Sequence, residues 1–291
     1  MRDKPLAKLI VNSFAFACAT MSFHQSTLAM DKTDDIDTNR PSFMDSPLVL
    51  PKSSVQLENG TLYQGFHKGK WQYDVPETEV RVGLTKGTEF QAFVPNYNLL
   101  HSQVATNEVD PTSISTNSVR NRTTSQVSDI TEIGLKHQIG PLFANSKKLP
   151  GYLRNYNLAA IVGVTPPTGS TQVSGTGTAG IVRFPWSKGI GKNWSIAGMQ
   201  SLLLLNSGHD LSWQPDVLLG RNVGAKASIF MEYGGFFTQS QAPLNIMHFG
   251  GVYKATKRQQ IDMQFGFGMN GAAPIAFIGF GYSFRCDKLA W

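Results

Sequence analysis

At 291 residues, 41% hydrophobic and 16% charged, the chain has the size of one large domain, and its composition excludes a disordered or collagen-like protein. Its formal charge of +6 is scattered, partly at the extreme N-terminus, so no basic stripe points to nucleic acid. Beyond the first thirty or so residues no apolar run reaches even about 15 residues against the about 20 that a spanning helix needs, so membrane residence must be by barrel.

Met1 to Lys8 are polar and basic, Leu9 to Phe23 are mostly apolar, and Thr27-Leu28-Ala29 is a small-residue step; together these predict a signal peptide over residues 1–29. Asn12 and Ser13 break the apolar run, which is shorter than a membrane anchor requires. Ala15-Phe16-Ala17 before Cys18 matches a lipoprotein signal poorly. With the signal removed Cys286 is the remaining cysteine, and no intramolecular disulfide is available to hold an exported fold. Residues 30–53 are polar and proline-bearing, with Arg40-Pro41 and Ser46-Pro47, and read as a flexible periplasmic lead-in.

From there the pattern is two-faced strand. In residues 260–270 Ile261, Met263, Phe265, Phe267 and Met269 fall on one side, and Gln260, Asp262, Gln264 and Asn270 on the other. Strands are expected near residues 54–63, 79–85, 89–97, 130–139, 156–165, 178–187, 194–205, 211–221, 225–237, 246–255, 260–270 and 276–286. Connections alternate between long and short, as outer-membrane barrels require, except at 140–155, which is long for a periplasmic turn. The expected fold is all-β, an antiparallel transmembrane β-barrel of about 12 strands over residues 54–286 with a C-terminal tail at 287–291. Residues 98–129, rich in Ser, Thr and Asn, read as an extracellular loop able to fold inward and gate the barrel.

Charges segregate to one face: Glu58, Arg81, Glu89, Lys136, Glu232, Asp262 and Arg285 are the candidate lumen-lining residues. A Lys or Arg on the lipid face at mid-bilayer would cost about 2–4 kcal/mol, so lipid exposure enforces such segregation. Glu58 with Arg81, and Lys254 with Asp262, are expected as neighbouring-strand pairs that neutralise one another. Tyr63, Trp71, Tyr97, Trp186, Trp194, Trp213 and Tyr253 lie near strand ends, where barrels carry aromatic girdles.

Several segments, in order, resemble an outer-membrane β-barrel family of transporters labelled as the MetA pathway of phenol degradation. They are Arg40-Pro41-Ser42-Phe43-Met44-Asp45-Ser46-Pro47, Gln56-Leu57-Glu58-Asn59-Gly60, Glu79 to Thr85 with Thr88-Glu89-Phe90, Gly134-Leu135-Lys136, Phe230-Met231-Glu232-Tyr233 and the run from Gln260 to Arg285. The resemblance implies passage of small, often aromatic, compounds across the outer membrane of a Gram-negative bacterium. The chain departs from it after Phe284-Arg285, where Cys286 to Ala290 precede a terminal Trp291.

Other chemistry has weaker signals. Gly175-Thr176-Gly177-Thr178-Ala179-Gly180 has dinucleotide-fingerprint spacing but leads into a β-like Ile181-Val182-Arg183-Phe184 rather than a helix. His67, His101, His209 and His248 lack metal-ligand spacing, and neither a metal nor a cofactor is expected. The reading is a non-enzymatic outer-membrane channel or facilitator for passive passage of small, hydrophobic or aromatic compounds. Its expected partners are outer-membrane lipid, a small-molecule solute and the barrel-assembly machinery. The alternatives are a structural barrel with a blocked lumen, an outer-membrane lipid hydrolase built on His137, and a secreted soluble β-protein.

Overall fold

A computed structural model describes residues 35–106, 118–129, 131–142, 150, 155–170, 177–239 and 241–289; the expected signal peptide and Trp291 lie outside them. The strands are β1 Val55–Gly65, β2 Trp71–Gly83, β3 Thr88–Val94, β4 Tyr97–Thr106, β5 Ser118–Val127, β6 Glu132–Leu142, β7 Tyr156–Thr165, β8 Ala179–Ile190, β9 Trp194–Leu205, β10 Asp210–Asn222, β11 Ala227–Thr238, β12 Leu244–Thr256, β13 Gln259–Gly268 and β14 Ala276–Cys286. All pairings are antiparallel, and β1 pairs with both β14 and β2, which closes the sheet.

The ring has twelve strand positions because two of them are split. β3 and β4 lie in line along β2, which pairs with β3 through Thr78–Gly83 and with β4 through Trp71–Val75. On their other side β6 and β5 lie in line in the same way. Pro95, which has no N–H to give a ladder, sits at the first break. There Asn96 and Ser128 bridge the two interrupted strands: Asn96 N donates to Ser128 Oγ and Ser128 N to the Asn96 carbonyl, both at 2.9 Å. Most of the segment expected as an inward-folding loop is therefore wall: Tyr97–Thr106 and Ser118–Val127 form a hairpin that carries the barrel upward, with residues 107–117 outside the description.

The alternation sets the two faces. Met263 and Phe265 on β13 are 47% and 48% exposed, with no second layer over them among the described residues, while their neighbours Asp262 and Gln264 are buried. The same inversion holds on β14, where Phe280 is exposed and Ser283 and Arg285 are buried, and on β6, where Leu135 is exposed and Lys136 buried. Aromatics mark both ends of this apolar belt. Tyr63 and Trp71 pack together at the end bearing the β4–β5 hairpin, and Trp194 lies under the Arg221 guanidinium at the other. The end where residues 84–87, 191–193, 223–226 and 257–258 make short turns is the periplasmic one by the barrel rule.

Residues 35–53, expected as part of a flexible periplasmic lead-in, lie inside the ring. Ile36, Met44, Val49 and Leu50 are all buried. Ile36 N donates to the Lys257 carbonyl at the periplasmic turn between β12 and β13, and Ser53 N to the Gly83 carbonyl at the end of β2. The segment thus starts and finishes at the periplasmic rim, with its tip, residues 39–45, in the lumen. At the other terminus Asp287 pairs with Arg285 and Arg258, and Leu289 N donates to the Ser53 carbonyl, which fastens the tail to the base of the segment.

Candidate functional site

An inserted segment that joins no sheet brings unpaired backbone N–H groups into the interior, and each needs an acceptor. Three wall glutamates supply acceptors for five of them. Glu58 Oε2 accepts from the N–H groups of Asn39 and Arg40, both at 2.9 Å. Glu89 Oε2 accepts from Leu50 at 2.7 Å, and Glu232 accepts from Phe43 at 3.0 Å and Met44 at 3.2 Å. The inner face of the barrel is thus matched to the backbone of the chain's own N-terminal segment.

All seven sequence candidates are buried on the inner face. Arg81 on β2 is the hub of the largest group: Nη1 meets Glu58 Oε1 at 2.9 Å and Nε meets Glu89 Oε1 at 2.9 Å. Lys136 Nζ also reaches Glu89 Oε1 at 2.9 Å. Glu79 lies directly opposite Glu58 on the β1–β2 ladder, an unfavourable like-charge pairing. Asn39 relieves it, since its Nδ2 donates to both Glu79 oxygens at 2.8 and 3.0 Å while its N–H serves Glu58. The Glu58–Arg81 pair is formed as the spacing indicates. The expected Lys254–Asp262 pair is not: Asp262 stands opposite Val252 on the ladder, and both charges turn to the segment instead. Lys254 Nζ lies 3.8 Å from Asp35, and Asp262 lies 3.5 Å from Arg40. Arg285 donates from Nη1 to the Asp35 carbonyl at 3.2 Å, so it too holds the base of the segment.

Arg40 reaches across the tip to Glu77 at 2.9 Å and lies over two facing glycines, Gly60 and Gly281. A Cβ at Gly60 would stand 2.1 Å from Arg40 Cζ, and one at Gly281 2.6 Å from Arg40 Nε, so the guanidinium fills space that side chains would otherwise hold. On the opposite wall Arg183 of β8 ties Asp45 of the tip at 3.1 Å to Glu132 of β6 at 2.5 Å. Met44 packs with Ala197 and Met199, and Phe43 packs with Phe236, Phe277 and His248. On the hairpin side of the tip a cavity of about 360 Å³ is lined by Arg40, Phe43, Leu62, Phe93, Gln214 and Gln264 among others.

Glu79, Glu132, Arg183, Asp216 and His248 belong to this interior and were absent from the candidate list. Glu79, Glu132 and Asp216 follow the polar-face alternation of their strands, and that rule extended to every strand finds them; Arg183 and His248 share their inward faces with Ile181 and Ile246, so polarity does not mark them. The segment's own residues were masked by their turn-like composition. Their signal was that Arg40 to Pro47 opens the set of family-like stretches, which a mere linker has no reason to do.

The remaining motifs find ordinary places. His137 Nδ1 is 2.9 Å from Thr88 Oγ1 on the outer face, and His101 stacks on Trp71 with ring centroids 5.2 Å apart. Gly177 and Thr178 lead into strand β8 and no helix follows; residues 171–176 lie outside the description.

A family model described as "Putative MetA-pathway of phenol degradation" matches residues 38–286. No curated protein matches the chain in sequence. Among solved structures, an outer membrane channel from Pseudomonas putida F1 is 14% identical with a TM-score of 0.55, over 82% of this chain and 97% of that one. It shares the barrel fold. The NanC porin, 11% identical over 81% and 100% of the two chains, and the KdgM porin, 8% identical over 79% and 98%, both have a TM-score of 0.46.

Proposed function

The chain belongs to the family described as "Putative MetA-pathway of phenol degradation", an outer-membrane β-barrel family, and from that premise we propose that it is a channel held shut by its own residues 36–50. The observation that carries this reading is the match between inward wall glutamates and the backbone N–H groups of the segment. A wall built only to be filled would use side chains of its own, as eight-stranded barrels do. Here the filling is a tethered loop with both ends at the periplasmic rim, held by polar contacts that a solute or water can replace.

The reaction proposed is passage, not catalysis. Small solutes would collect in the hairpin-side cavity and cross when the tip withdraws. On this reading the partners are outer-membrane lipid around the apolar belt, the barrel-assembly machinery that inserts it, and a small hydrophobic or aromatic solute inside.

The test is planar-bilayer current from the full barrel and from a variant lacking residues 36–50, each shown to be folded by its mobility on unheated gels. A larger, steadier current from the shortened barrel supports the channel. Absence of current from both folded forms means a structural barrel with a blocked lumen.

A further inference from the structure

The Arg40 guanidinium lies in a slot of the inner wall whose floor is bare backbone. Gly60 on β1 and Gly281 on β14 face each other on the ladder. A Cβ at Gly60 would run into Arg40 Cζ, Nη1 and Nη2 at nearly equal distances, so the planar group is face-on to that glycine. Nη1 meets Glu77 Oε2 at 2.9 Å, and Nη2 reaches the Phe280 carbonyl at 3.4 Å. A flat, acid-edged space of this kind suits a guanidinium rather than a compact ammonium.

Arg40 fills the slot without satisfying it. Asp262 on β13 is 2% exposed, and neither of its carboxyl oxygens has a hydrogen-bond partner; Arg40 Nη2 stands off at 3.5 Å. A Cβ at Gly281 would lie 2.5 Å from both of those oxygens and 2.6 Å from Arg40 Nε, which also lacks a partner, so the carboxyl is aimed into the slot. The neighbouring acids are engaged elsewhere, Glu58 with Arg81 and Gln56, and Glu79 with Asn39. The Arg40 N–H is held by Glu58 Oε2 at 2.9 Å, so the side chain starts from a fixed point and, while bonded to Glu77, stops short of Asp262. A guanidinium on no such tether can meet both acids and give Asp262 the donors it lacks.

We propose that this slot is a binding site for small organic cations with a guanidinium or amidinium head, which bind between Glu77 and Asp262 by displacing the Arg40 side chain. They reach it from the hairpin-side cavity, whose lining includes Arg40, Glu77, Thr78 and Gln264. Displacement removes the ties from Arg40 to Glu77 and Asp262, so binding loosens the tip. The assignment adds a cationic class of solute to the channel reading and rests on that reading for its purpose, but its test does not depend on current.

The test is saturation-transfer NMR titration at pH 8 of methylguanidinium, with methylammonium as the comparator of equal charge, into the barrel in non-ionic detergent. The proteins are the wild type, Arg40→Ala, and Arg40→Ala combined with Asp262→Asn, each shown to be folded by its mobility on unheated gels. Arg40 is a tethered competitor for the slot, so Arg40→Ala is expected to bind methylguanidinium about tenfold more tightly than the wild type. Methylammonium should show no such gain, and the double variant should lose it. Equal gains for both probes, no gain, or a gain that survives Asp262→Asn overturns the proposal. In the wild-type barrel, whose folding is not at issue, saturating methylguanidinium should move the Arg40 Nε–H resonance, and an unmoved resonance overturns the displacement. A barrel that binds the cation but passes no current keeps the site and loses the channel; one that conducts without binding it does the reverse.

Discussion

Arg81 is shared by Glu58 and Glu89 at 2.9 Å each, and Lys136 is the other cation within reach of Glu89. Removing the guanidinium leaves buried carboxylates uncompensated, a loss that in protein interiors runs to about 3–5 kcal/mol. Arg81→Met should therefore lower the urea midpoint of the barrel in lipid vesicles, whereas Glu79→Gln, which removes one of two facing carboxylates, should cost less or nothing. Gly60 makes a separate prediction. Its missing Cβ is the seat of the Arg40 guanidinium, so Gly60→Ala should unseat Arg40 from Glu77 and Asp262 and raise bilayer current without weakening the wall. Current unchanged from the wild type would show that Arg40 does not hold the tip.

The strands show which signals a sequence carries and which it hides. β7, β9 and β14 have the bounds that alternation alone indicates, because lipid on one side and packed polar groups on the other force a period of two. The front half of β2 was hidden by Pro76, and the β4–β5 hairpin by its composition. Ser102, Arg122 and Thr124 alternate with residues equally polar, since a strand beyond the lipid has no apolar side to display. The same logic limits what could be read of the site. The inward direction of Glu58, Glu89 and Glu232 is local information, but their acceptance of N–H groups from residues 39–50 spans as much as Glu232 to Phe43 and leaves no periodicity. For the lipid-facing side, Phe265→Arg near the middle of β13 should destabilise by about 2–4 kcal/mol in vesicles, measured by the folding midpoint. A negligible effect would mean that Phe265 does not meet hydrocarbon.

In the whole molecule, the ring and the segment form one closed object: wall carboxylates accept from the segment's N–H groups, wall arginines donate to its carbonyls, and tail and segment base are joined by Leu289 and Ser53. On the proposed channel reading, such an arrangement makes the lumen's permeability a property of a single tethered loop rather than of the barrel's diameter. Residues 39–45 make contacts to both walls of the lumen, so on that reading the tip is the element whose position decides between shut and open.

The most direct measurement fixes that tip in place. With Cys18→Ser and Cys286→Ser removing the native thiols, Met44→Cys and Met199→Cys, which share one apolar cluster, can be joined by a bis-methanethiosulfonate cross-linker and released with reductant during a single-channel recording. The account predicts that the cross-linked barrel passes little current and that reductant restores brief openings. The same current before and after reduction would contradict a channel closed by its own N-terminal segment.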